Sequence, residues 1–200
     1  MSRGLLGILK LCVFIAALPV VIAVIVAFNR EMTVFKDARD VFGWGVAAYT
    51  ILHLFVFTPQ GFYRFWQSVF MEICSFAGTA ANILVLAVPI ITTVLLLVYY
   101  ISTVIFRQPW APDWLVFLTG FTLAFHVILS GQELYEADET MLKGHYLFSM
   151  GMIFIVNMMI TAGLLNLIFS DFSFMSFWHV GVKAAGKIYT DILGMAGIRF

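Results

Sequence analysis

The chain has 200 residues, of which 62% are hydrophobic and only 11% charged, with a mean hydropathy of +1.02. A water-soluble domain could not cover its surface with so few charged groups, so lipid is expected to be its main solvent. Eleven basic and eleven acidic side chains balance to zero, and no clustered basic face points to a nucleic acid.

The first apolar block covers 5–28 and is interrupted only by Lys10 and Pro19. At ~1.5 Å per residue it reaches roughly 36 Å, enough to cross a bilayer. A secretory signal has a shorter apolar region and a small-x-small cleavage site, so this block reads as an uncleaved first helix. A polar connector follows over 29–40. The second block, 41–58, ends at Pro59-Gln60-Gly61 and carries Gly43, Gly45 and Ala47, small residues that permit close helix contact.

Residues 62–73 form an amphipathic pattern. Phe62, Phe65, Trp66, Val69 and Ile73 share one helical face, and Arg64, Gln67, Ser68 and Glu72 the other. An interfacial helix is expected there. The third block, 76–106, is too long for one perpendicular span and too short for two. Pro89 inside it predicts a kink or break, with a strongly tilted helix or a re-entrant hairpin as alternatives. Residues 107–113 read as a loop.

The fourth block, 114–130, stops at Gly131 and is followed by the acidic cluster Glu133, Glu136, Asp138 and Glu139. The fifth, 146–169, contains Asn157, Thr161 and Asn166, polar choices at membrane depth. Asn157 and Thr161 share a face aimed at a neighbouring helix. In the tail, 176–195, Trp178, Val182, Ala185, Tyr189 and Ile192 oppose His179, Lys183, Lys187 and Asp191. A helix lying on the membrane surface is the expectation, with Trp178, Lys183 and Lys187 as its surface contacts. The expected fold is a single all-α integral membrane domain of about five spans, the third bent or broken near Pro89, with two interfacial helices. The basic residues then place the first connector and the tail, through Arg199, in the cytoplasm of a bacterial inner membrane.

Candidate chemistry rests on few residues. His53 and His126 are ionisable groups within apolar blocks, where function is the default hypothesis. Two such imidazoles could ligate a haem. The bland alternative is a neutral ring hydrogen-bonded to a neighbouring helix, and one histidine per block favours it. His126, Ser130 and Glu133 share one helical face if the helix continues through Gly131. With Asp138 and His145 nearby, that face could bind a divalent metal or pass protons; a solvated acidic loop is the competing reading. Glu72 closes the first amphipathic helix. Cys12 and Cys74 are widely separated and have no zinc-ligand spacing. No cofactor is predicted, and haem or a divalent metal stays open.

The run from Phe55 to Trp66, followed by Gly120-Phe121-Thr122-Leu123-Ala124-Phe125-His126, then Glu133 through Asp138 and His145 through Ser149, resembles bacterial membrane proteins of the site-2-protease-like metallopeptidase type. The resemblance spans about 41–169. In such relatives the first run leads into His-Glu-x-x-His, whereas this chain has Gln67, Ser68 and Met71 at those positions. Zinc hydrolysis needs paired imidazoles and a carboxylate base. The resemblance therefore implies a relative without peptidase activity.

Three functional readings remain. The first is a non-catalytic membrane subunit that scaffolds a larger envelope complex, in contact with lipid and with other subunits or copies of itself. The second is a small transporter or channel subunit moving a solute or lipid along Asn157, Thr161, His126 and the acidic cluster. The third is a membrane enzyme, either a divergent peptidase or a haem or quinone subunit.

Overall fold

The computed structural model describes residues 3–35, 38–55, 59–78, 80–107, 112–138 and 143–195. Among them the chain is all-helical, with no strand. The helices are α1 (Arg3–Val34), α2 (Ala38–Phe55), α3 (Gln60–Ile73), α4 (Ala80–Ala87), α5 (Ile90–Phe106), α6 (Pro112–Ala137), α7 (Gly144–Ile168) and α8 (Phe174–Met195), with a short 3₁₀ turn at Ser75–Ala77. Glu139, Arg199, Lys36, residues 56–58 and residues 108–111, which entered the expectations above, lie outside the described residues.

Three helices among the described residues are long and apolar enough to cross a membrane, Leu5–Val34 within α1, and the whole of α6 and α7. Their outward faces are apolar: Ile15, Val26 and Leu167 are well exposed. Such a surface suits hydrocarbon better than water.

Two helices run past their expected ends. α1 continues through Asn29 to Val34 because that stretch contains no helix breaker, so most of the first connector is helix. α6 continues through Gly131 to Ala137, where the sequence pattern put a loop. Glu133 and Glu136 therefore stand on its last turns. A side chain at Gly131 would meet only ordinary contacts with Met150 and Tyr146, so nothing interrupts the helix there.

The third apolar block breaks at Pro89, which lies between α4 and α5. Pro89 lacks a backbone donor and cannot continue α4. Leu86, before the break, meets His126, and Thr92, after it, meets Thr122, so the chain advances toward the start of α6 across Pro89.

Contacts fix the remaining directions. α2 and α6 run parallel and nearly touch at the backbone, because a Cβ on Gly45 would strike the Phe117 carbonyl and one on Gly120 the Phe42 carbonyl. Glycine there lets the helix axes approach more closely than any other residue could. Gly144 of α7 meets Gly7 of α1 in the same manner, and Gly151 meets Phe14, so α1 and α7 are also parallel. Tyr135 packs edge-on against Tyr146 at 5.4 Å, which makes α6 and α7 antiparallel. The main core draws on α1, α5, α6, α7 and α8, through Phe28, Leu96, Leu123, Met158 and Phe177 respectively.

α8 turns back along α1. The Ser176 hydroxyl donates to Glu31 at 2.6 Å, and the Tyr189 hydroxyl donates to the Ala16 carbonyl at 2.6 Å. The two helices are thus antiparallel over residues 16–31 of α1. Phe177 is buried between them and Trp178, partly exposed, lines an apolar cavity against Val20 and Ala23 of α1, while His179, Lys183, Lys187 and Asp191 face outward and are exposed.

Candidate functional site

α3 packs against the C-terminal half of α6, with Phe62 against Phe125, Tyr63 against Ser130 and Gln67 against Glu133. Its apolar residues Phe62, Phe65 and Ile73 are exposed on the outside. Its polar residues Arg64, Gln67, Ser68 and Glu72 fall on the other face, at the i, i+3, i+4, i+8 spacing, with Gln67 half-buried and the other three exposed. Arg64, Gln67, Ser68 and Glu72 line a groove of about 770 Å³, together with Met71, Ser75, Val85 and Leu86 of the following segment and Glu133 of α6. That volume falls within the range of small-molecule sites.

A chain of polar contacts forms the floor of the groove. Gln67 Nε2 donates to Glu133 Oε2 at 3.0 Å, tying α3 to α6. One turn earlier on both helices, the Tyr63 hydroxyl and Ser130 Oγ lie 2.6 Å apart. Ser130 Oγ is 3.4 Å from His126 Nε2, which is 3.0 Å from the Leu86 carbonyl. A carbonyl cannot donate, so Nε2 carries the proton in that bond and the neutral tautomer is set by α4. Tyr63 is 3% exposed and His126 2%, so both act as internal struts rather than solvent-facing groups. Burial pushes the Tyr63 phenol up to about 12; the Ser130 hydrogen bond opposes that shift and the Glu133 charge adds to it.

The face expected from His126, Ser130 and Glu133 is therefore present, and Glu72 joins Glu133 at the groove. Tyr63 belongs with them and was missed; its place one turn before Gln67 was the only signal. Asp138 does a different job. Its Oδ2 accepts the Tyr146 N–H at 2.8 Å, so the carboxylate sits over the first turn of α7, where helix dipole and free donors favour an anion. Lys143 Nζ reaches the Asp138 backbone carbonyl and the Tyr135 carbonyl. His145 is half-buried in the first turn of α7.

His53 and His126 occupy different sides of α6. His53 Nε2 lies 3.3 Å from Gln132 Nε2, and among the described residues its Nδ1 and the Tyr49 hydroxyl are buried without partners. Asn166 is exposed, and its Oδ1 accepts the Phe174 N–H at 2.9 Å, so it caps α8. Asn157 and Thr161 are fully buried, and among the described residues neither Asn157 amide atom nor the Thr161 hydroxyl has a partner. Both continue the α7 face of Tyr146 and Met150 that meets α6. Thr92 and Thr122, 2.9 Å apart, stand at a similar level.

The zinc centre implied by the metallopeptidase resemblance does not fit these residues. Gln67, at a ligand position, spends its amide on Glu133. Among the described residues no three His, Cys, Asp or Glu side chains converge as a metal-binding group. Comparison with protein-family models, curated proteins and solved structures finds no match to this chain.

Proposed function

We propose that the chain is a multi-pass integral membrane subunit, without catalysis of its own, that scaffolds a larger complex in a bacterial inner membrane. The observation that carries this reading is the position of α8. Its Ser176 and Tyr189 bracket Glu31 and Ala16 of α1, and the α1 residues between Ala16 and Phe28 are all apolar. Lys183 and Lys187 therefore stand beside a segment that crosses hydrocarbon, on the face turned away from α1. A lysine at the centre of a bilayer costs about 2.5–3.5 kcal/mol. A polar face so placed calls for a polar partner, and another membrane subunit or a second copy of the chain supplies one.

A cytoplasmic α7–α8 end is part of the proposal, supported by the basic residues Arg30, Arg39 and Arg107 gathered there, with Lys183 and Lys187 rising from it. Descent from a membrane metallopeptidase is part of the proposal. In place of a zinc ligand, Gln67 joins α3 to α6, which keeps the groove and removes the hydrolytic centre.

The test is the mass of the particle extracted from native membranes in mild detergent. A particle heavier than one 22.5 kDa chain is expected, and Lys183→Leu with Lys187→Leu should disrupt it. A monomer whose Lys183 and Lys187 react fully with a water-soluble amine reagent would overturn the reading and return α8 to the membrane surface. The transport reading draws on the unpaired Asn157 and Thr161. Solute flux in liposomes that is lost in Asn157→Leu would favour it.

A further inference from the structure

The groove between α3 and α6 holds charge of both signs. Arg64, Glu72 and Glu133 line it together. Among the described residues Arg64 forms no ion pair with either carboxylate. A simple anion would gain Arg64 and face two carboxylates; a simple cation would meet the reverse conflict. A ligand bearing both charges satisfies the wall.

The donors and acceptors narrow the ligand further. Gln67 holds one oxygen of Glu133 at 3.0 Å, which leaves Oε1 for a ligand. Arg64 lies one turn before Gln67 on the same face of α3, so the guanidinium and the carboxylate held by Gln67 line one wall of the groove. Arg64 offers the planar donor fork that suits phosphate, and a carboxylate suits an ammonium that can donate hydrogen bonds. Met71, Val85 and Leu86 give the same groove an apolar wall. Phe62, Phe65 and Ile73, 53%, 59% and 64% exposed, lie on the opposite side of α3, as expected of a helix lying at the headgroup level.

We propose that this groove binds the head of a zwitterionic phospholipid with a primary amine, Arg64 taking the phosphate and Glu133 the ammonium. The inference rests on the membrane placement given above, though not on the scaffold role. A free phosphorylated amine shares this chemistry. The apolar wall and the interfacial position of α3 assign the ligand to lipid.

The full chain in detergent micelles is titrated with short-chain phosphatidylethanolamine, phosphatidylcholine and phosphatidylglycerol, and separately with soluble phosphoethanolamine. The ethanolamine lipid should bind about tenfold more tightly than either other lipid, and soluble phosphoethanolamine more weakly still. Glu133→Gln should erase the preference over phosphatidylcholine, whose quaternary amine donates no hydrogen bond, while binding of both lipids persists. Arg64→Gln should weaken both together. Equal binding of all three lipids by the unaltered protein overturns the proposal, as does a preference that survives both substitutions. Soluble phosphoethanolamine binding as tightly as the lipid would overturn the lipid assignment. Extraction of the chain by carbonate without detergent would instead defeat the membrane placement itself.

Discussion

The Ser176 hydroxyl lies 2.6 Å from Glu31 Oε1, joining positions 145 residues apart and anchoring α8 to α1. Glu31 is only 4% exposed. A carboxylate so enclosed depends on its donor, since an unpaired buried charge is costly. Ser176→Ala should destabilise the protein by about 1.5–3 kcal/mol. Thermal unfolding in detergent measures it, and Glu31→Gln, which removes the charge, should cost less than Ser176→Ala.

The backbone approach of α2 to α6 gives a second prediction. Gly45→Ala would drive a methyl into the Phe117 carbonyl, and Gly120→Ala would do the same at Phe42. Each should lower stability by about 1–3 kcal/mol through overpacking. Gly43, two residues from Gly45, has nothing within 4 Å. Gly43→Ala should be neutral or slightly stabilising, by about 0.5–1 kcal/mol, because alanine is the better helix former. Equal losses at Gly43 and Gly45 would contradict the packing described.

Tyr63 should titrate late. Its phenol is held near 12, above the ordinary value of 10. A pKa raised on folding means that the folded state favours the protonated phenol. That contribution to stability is fully present below about pH 10 and is lost as pH rises through about 12. The phenolate absorbance of the protein minus that of Tyr63→Phe should report this late transition. A difference curve centred near pH 10 would disagree.

Asn157 buries an amide with no partner on either atom among the described residues. Replacing an unsatisfied buried polar group by an apolar one of similar shape removes its desolvation cost, about 1–3 kcal/mol. Asn157→Leu should therefore raise the melting temperature, whereas Asn157→Ala should lower it by opening a cavity. A lower melting temperature in the leucine variant would mean that the amide is satisfied, as by a bound water.

What the sequence made legible follows from the range of the forces involved. Apolar block length, the proline at 89 and the i, i+3, i+4 stripe of α3 are local, and each reappears as a helix, a break and a polar face. The pairing of His126 with Ser130 and Glu133 was legible because one helix sets it. Partners from elsewhere in the chain were not. Nothing near Tyr63 announces Ser130, 67 residues away, and nothing near Asp138 announces that it would cap α7. The end of α6 was misplaced because glycine was read as a stop, although packing against Met150 tolerates it within a helix. The return of α8 along α1 depends on Glu31, an acidic residue that the local pattern assigned to an open connector.

The interruption at Pro89 makes two distant residues interdependent. Leu86 sits in the final turn of α4, where carbonyls outnumber the helix's own remaining donors. The His126 ring supplies the missing hydrogen. If a helix-forming residue replaced Pro89 and mended the gap, that carbonyl would turn to its own backbone and release the imidazole. The freed ring would face Ser130 and Tyr63 with a nitrogen to spare. A proline and a histidine 37 positions apart should therefore be inherited as a pair, each leaving an orphan behind if the other is lost alone.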